Sequence, residues 1–272
     1  MRILFIGDVY GRTGRDALAK HLPTLREKLK PDVVIVNGEN AAHGIGITEA
    51  ICKEFYGIGV DVITTGNHVW DQREIISYID RDPKLLRPLN FPKGTPGKGA
   101  YKHTLSDGRS ILIVNAMARI FMDPLDCPFV AMNELINSYR MGPGGVNAIF
   151  LDFHGEATSE KMAMGHHLDG RVSVVVGTHT HVPTADVQIF NGGTAYQSDA
   201  GMTGDYDSVI GVRKDIPIGR FIRKMYTEKF APTDGEATVC GLFVETDDRN
   251  GWAKNAGAVR IGPRLKEEIP AF

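Results

Sequence analysis

Cysteine is scarce in this chain. Its 272 residues include three, Cys52, Cys127 and Cys240, far apart and in no C-x-x-C spacing. An odd, sparse set argues against a disulfide framework and fits a reducing compartment. No stretch approaches the ~20 apolar residues of a membrane span. The apolar run near the N-terminus, Ile3 to Ile6, stops at Gly7-Asp8, so it is too short for the core of a signal peptide and reads as a strand. A cytoplasmic protein is expected. Basic charge is not in excess: 31 Lys and Arg stand against 33 Asp and Glu, for a net charge of −2. That disfavours a broad nucleic-acid surface, although RNA stays open. A local cation site escapes the tally, because bound ions are not counted in it. Repeats, low-complexity tracts and linkers are also missing. One domain over residues 1–272 is therefore expected, long enough to bury a substantial core.

What the chain has is a series of short apolar runs, each followed by a polar turn. Ile3–Ile6, Val33–Val36 and Val60–Thr64 read as strands. Between them, Thr13 is expected to cap a helix to about Leu29, interrupted or divided at Pro23, and Thr48 to cap a second to about Tyr56. This β-α-β-α-β rhythm predicts right-handed crossovers and a mostly parallel sheet. Arg73–Ile79 reads as a short helix. Tyr101–Leu105 and Ser110–Val114, joined through Asp107-Gly108, read as a hairpin. Asn115–Val130 has no clear period and is read as a lid or insertion. Ala131–Tyr139 and Thr158–Leu168 read as helices, and Ala148–Phe153 and Val172–Val176 as buried strands. A second hairpin spans Val187–Tyr196. Ser198–Val212, rich in Gly, Asp and Ser, reads as a long surface loop, either closing over a substrate or making a subunit contact. Ile218–Tyr226 follows as a helix, then Thr238–Thr246 and Ala258–Ile261 as strands.

The residues that end the buried strands share one chemistry. The first ends at Asp8, the second at Glu39-Asn40, the third at Asn67-His68, a later one at His154, and the last at His179 and His181. Open α/β sheets place their ligand site outside the carboxyl ends of the strands. His179 and His181 are two residues apart, so in extended backbone both rings project to one side. The donors are carboxylate, amide and imidazole without sulfur, a set suited to Mn²⁺, Fe or Zn²⁺. They are too many for one tetrahedral ion. Two ions about 3.5–4 Å apart, bridged by a carboxylate, would use them and stabilise in-line displacement at phosphorus.

These dispersed motifs resemble those of the calcineurin-like metallophosphoesterases. Gly7-Asp8-Val9-Tyr10-Gly11-Arg12, Asn37-Gly38-Glu39-Asn40, Thr64-Thr65-Gly66-Asn67-His68 and Asp205–Gly211 carry a narrower resemblance to the YmdB-like phosphodiesterases along nearly the whole chain. The resemblance implies a four-layer α/β/β/α sandwich of mixed sheets and a binuclear centre. It also implies hydrolysis of nucleoside cyclic monophosphates, 2′,3′-cyclic first and 3′,5′-cyclic as a further class, by a metal-bridging hydroxide. On that pattern Asp8, Glu39, Asn40 and His181 hold one ion, and Glu39, Asn67, His154 and His179 the other. His68 protonates the leaving oxygen. Fe or Mn, divalent or mixed-valence, are the expected metals, with Zn as an alternative.

Two departures from the wider superfamily matter. Tyr10 stands where a ligand histidine is usual, with Asn40 as the natural substitute. Ala42 replaces the aspartate that would orient the catalytic histidine, leaving Asp71 as the guess for that task. Arg12 and His43 are weaker candidates for substrate phosphate; a helix-start salt bridge competes for Arg12 and a solvated loop position for His43. A phosphomonoesterase or nucleotidase with the same centre, or a metal-bearing regulator that binds a nucleotide or RNA, are the alternative readings. Long irregular loops also make a homo-oligomer an expectation.

Overall fold

The computed structural model describes residues 1–225 and 228–272. The first strand, β1 (Arg2–Ile6), shows why the molecule is layered. Successive side chains of a strand face opposite ways. Ile3 and Phe5 enter one buried cluster, and Leu4 and Ile6 another. A strand apolar on both faces must be covered on both.

In chain order, α1 (Gly11–Leu29), β2 (Val33–Asn37), α2 (Glu49–Gly57) and β3 (Val62–Thr64) complete the first crossovers. Then come α3 (Ile75–Tyr78), β4 (Ala100–Thr104), β5 (Ser110–Met117), α4 (Pro128–Ile136), β6 (Ala148–His154), α5 (Thr158–His167) and β7 (Val174–Thr178). The described chain ends with β8 (Gln188–Ile189), β9 (Ala195–Gln197), α6 (Asp215–Arg223), β10 (Val239–Thr246) and β11 (Ala253–Ile261). One sheet has the order β11-β10-β1-β2-β3 and the other β4-β5-β6-β7-β9-β8.

The sheets pack face to face. Ile3, Phe5 and Ile35 of the first meet Ile111, Phe150 and Val176 of the second, with the Phe5 and Phe150 rings 5.3 Å apart. Leu18, Leu22 and Leu25 of α1 and Phe55 of α2 cover the outer face of the first sheet. Met132 and Ile136 of α4 and Met164 of α5 cover that of the second. The order is helix, sheet, sheet, helix, as the family resemblance implies.

Several local expectations shift. The sheets are mixed, as the resemblance implies, and the β-α-β-α-β rhythm accounts only for their parallel part: β1-β2-β3 and β5-β6-β7-β9 are parallel, but β10, β11, β4 and β8 pair antiparallel. The late hairpin returns to lie beside β1, a long-range pairing that no local pattern announces. Thr13 does not cap α1, which starts at Gly11; Thr48 does cap α2, accepting from the Ile51 N–H at 3.3 Å. Pro23 is exposed and lies within α1 without dividing it, and the buried Leu22 and Leu25 beside it hold the helix to the core. Of the stretch read as a lid or insertion, residues 115–117 end β5 and 128–130 start α4, while 118–127 between them form neither helix nor strand. The expected helix near the C-terminal third is Asp215–Arg223, and Tyr226, at the end of its predicted span, lies outside the described residues.

The largest correction concerns Ser198–Val212. Ser198 to Asp205 is buried, not a surface loop. It threads between the two sheets at their rim, with Ala200 N–H donating to the Gly177 carbonyl at 2.9 Å and Thr203 N–H to that of Asp8 at 2.8 Å. Glycine at 7 and 177 permits this passage, because a Cβ at either position would collide with the Gly201 or Ser198 carbonyl.

Candidate metal centre

All the strand-end donors arrive at that rim. Asp8 follows β1, Glu39 and Asn40 follow β2, and Asn67 and His68 follow β3; His154 ends β6, and His179 and His181 follow β7. Ligand atoms of Glu39, His154 and His179 lie within 4.8 Å of one another, as do those of Asp8, Glu39 and His181. Glu39 belongs to both groups. His179 and His181 reach the rim from left-handed backbone, φ 100° and 66°, rather than from the extended strand assumed for the pair. Gly66 faces the cluster, and a Cβ there would run into Glu39 Oε2 and His154 Nε2.

Hydrogen bonds behind the rings decide which nitrogens face inward. Asp152, fully buried on β6, accepts from Asn37, Thr64 and Thr178. Thr178 has one hydroxyl proton and donates it to Asp152 at 2.6 Å, so its oxygen accepts from His154 Nδ1–H at 2.9 Å. His181 Nδ1–H donates to the Ile210 carbonyl at 2.7 Å. Both rings therefore present Nε2 as a lone pair. Around His154 Nε2 lie Asn67 Oδ1 at 2.8 Å, His179 Nδ1 at 3.1 Å and Glu39 Oε1 at 3.2 Å. Lone pairs brought this close repel unless something positive lies among them.

Burial sharpens the conflict. Desolvation, then the charge of Asp199, pushes the Asp8 carboxyl up to about 7. Glu39 is raised well above the usual carboxylate range by burial and then by Asp8. Burial drives His154 well below the ordinary imidazole value, with His179 adding to it; His179 itself falls to about 4 through burial and His181. His181 is lowered mainly by burial. Asp8 Oδ1 is buried with no hydrogen-bond partner among the described residues, while Oδ2 accepts from His179 N–H at 3.0 Å. A cation satisfies the orphaned oxygen and removes the repulsion, so the residues present fit one.

The remaining candidates divide. Asn40 lies 3.1 Å from both Glu39 Oε1 and His181 Nε2 through its amide nitrogen, and turning the amide brings its oxygen to that place. His68 is held by Asp71, Nδ1 to Oδ2 at 2.6 Å, which is the partner guessed for it. Tyr10 is no ligand: its ring packs edge-on against His181 at 5.4 Å, and burial pushes its hydroxyl up to about 12. Arg12 projects from α1 into solvent and pairs with Asp16 at 3.7 Å, the competing salt-bridge reading. His43 is exposed on the loop after β2, at φ 56°.

Sequence reasoning passed over the supporting residues. Lys161, 1% exposed on α5, donates to the Thr178 carbonyl at 3.1 Å and to Asp199 Oδ2 at 3.0 Å. Asp199 also accepts from Thr180 N–H at 3.0 Å and Gly201 N–H at 2.8 Å, fixing the turn that carries both histidines. One signal was visible: Asp152 is a lone charge in an otherwise apolar strand.

Two mixed sheets with oxygen and nitrogen donors gathered where their strands end define a metallophosphoesterase-like hydrolase. The model described as YmdB-like protein matches residues 4–259, and the chain belongs to that family. It is 48% identical over 250 residues to the 2′,3′-cyclic-nucleotide 2′-phosphodiesterase of Bacillus subtilis (strain 168), covering 92% of each chain. A hypothetical protein from Thermus thermophilus has a crystal structure that superposes with a TM-score of 0.89 at 40% identity, covering 97% of this chain and 100% of the other. A novel phosphatase from Mycoplasma pneumoniae gives 0.88 at 33% identity, covering 96% and 93%.

Proposed function

We propose that this protein is a metal-dependent phosphodiesterase that opens nucleoside 2′,3′-cyclic monophosphates, with 3′,5′-cyclic monophosphates as a further class. The observation that carries the reading is the convergence of lone pairs on two overlapping donor groups that share Glu39. The name of the Bacillus relative supplies the substrate class.

Asp8, Glu39, Asn40 and His181 would hold one divalent ion, and Glu39, Asn67, His154 and His179 the other. The sulfur-free donor set favours Mn or Fe, with Zn as the alternative. Such a pair, when bound, brings the pKa of a water toward neutrality and offsets phosphoryl charge. The leaving group is left to the side chains. As a water oxygen bonds to phosphorus and the P–O2′ bond breaks, His68 gives its proton to O2′, and the product is the 3′-monophosphate. Asp71 holds Nδ1, so Nε2 is the nitrogen free to face the leaving oxygen.

The test starts from metal-depleted protein reloaded with Mn²⁺. It is given 2′,3′-cyclic AMP and, separately, the 3′-monophosphate. The expected result is opening of the cyclic diester to a monophosphate that is not degraded further. Faster release of inorganic phosphate from the monoester would replace this reading with the phosphomonoesterase one.

A further inference from the structure

Each of the three inward-facing imidazoles is steered by a group behind it, and the three groups differ. His154 is backed by Thr178 and Asp152, and His181 by the Ile210 carbonyl. Behind His179 lies Glu156, whose Oε2 is 3.3 Å from Nε2 and whose side chain is half exposed. Glu156 sits two residues beyond His154, where β6 gives way to the turn before α5. Glu156 Oε2 faces Nε2 as an ion-pair contact, and the other ring nitrogen, Nδ1, lies toward the cluster, 3.1 Å from His154 Nε2.

We propose that Glu156 is a positioning residue that holds His179 Nδ1 toward the ion shared by Glu39 and His154, and so sets the affinity of that ion alone. The inference rests on the two-ion reading given above. Its physical basis is general: a carboxylate accepting from the far N–H of a ligating imidazole fixes the ring and makes the ligand more basic, and losing such a partner costs about 10–100-fold in metal affinity. The other ion has no such dependence. Asp8, Glu39 and His181 are 0%, 0% and 7% exposed, and His181 is backed by main chain.

The experiment measures Mn²⁺ binding to metal-depleted protein by competition with a chromophoric chelator, for the wild type, Glu156→Ala and Glu156→Gln. Wild type should bind two ions. Glu156→Ala should keep one ion at wild-type affinity and bind the other about 10–100-fold more weakly. Glu156→Gln should recover most of the loss, because its amide oxygen still faces Nε2. Loss of the magnetic coupling between paired Mn²⁺ ions at two equivalents of metal gives a second readout in Glu156→Ala. Melting of the metal-depleted variants reports on folding separately. Two ions bound by Glu156→Ala as tightly as by wild type would overturn the proposal, and so would equal weakening of both. A wild type that binds fewer than two ions would overturn the two-ion reading itself.

Discussion

Lys161→Met is the substitution that most directly tests how the histidine turn is held. The ammonium and its partner Asp199 are each 1% exposed, with Nζ and Oδ2 3.0 Å apart. Methionine keeps the length and apolar stem of lysine but leaves Asp199 with two backbone donors and no counter-charge; the Thr178 carbonyl loses its side-chain donor as well. Removing one member of a buried pair costs about 3–5 kcal/mol, because the survivor stays desolvated and uncompensated. Against a typical total stability of about 5–15 kcal/mol, that is a large share. At about 2–4 °C per kcal/mol for a chain near this size, the melting temperature should fall by about 6–20 °C. Melting of the metal-depleted protein is the assay, since bound ions would mask part of the loss. Lys161→Met/Asp199→Asn should recover at least half of the loss, because the orphaned charge is gone. A single-variant loss below about 1 kcal/mol would show that the pair contributes little, as exposed pairs do. No recovery in the double variant would show that packing, not charge, was lost.

Other changes probe the centre itself. Gly66→Ala should bind fewer than two Mn²⁺ per chain with its circular dichroism unchanged, because the added methyl meets Glu39 and His154; two ions bound normally would refute the crowding argument. His68→Ala should lower kcat by about 10²–10⁴-fold without changing metal content, as expected for loss of a general acid. Asp152→Asn should weaken metal binding by about 10-fold or more through Thr178 and His154, and unaltered affinity would show that this chain does not steer the ring. Metal affinity should also depend on pH in one direction. The Asp8 carboxyl, raised to about 7, holds a proton below that pH that an ion must displace. The His179 imidazole, lowered to about 4, is already neutral over most of that range. Affinity should therefore fall about tenfold per pH unit per displaced proton below pH 7, and the raised Glu39 carboxyl adds to the fall in the same direction. Calorimetry in buffers of different ionisation enthalpy counts those protons, and a flat profile from pH 5 to 8 would remove Asp8 from the ligand set.

The sequence by itself determined the strands, the turns that end them and the donors on those turns. Apolar runs such as Ile3–Ile6 and Val33–Val36 need only local alternation and length to be read, and Asp8 and Glu39 follow them within a few residues. The Asp71 partner of His68 is three residues away on the same turn, so it too could be reached from the chain order. Tertiary structure decided what stands behind the donors. Asn37 and Asp152 are 115 residues apart yet meet between the two sheets; Lys161 and Asp199 are separated by 38. Neither contact leaves a periodic trace, because each is created by packing one layer on another. The same holds for Ser198–Asp205. Its Gly, Asp and Ser content matches that of a solvated loop, and only the closure of the two sheets around it turns its backbone inward, where the Ala200 and Thr203 N–H groups find the carbonyls of Gly177 in β7 and of Asp8 just after β1.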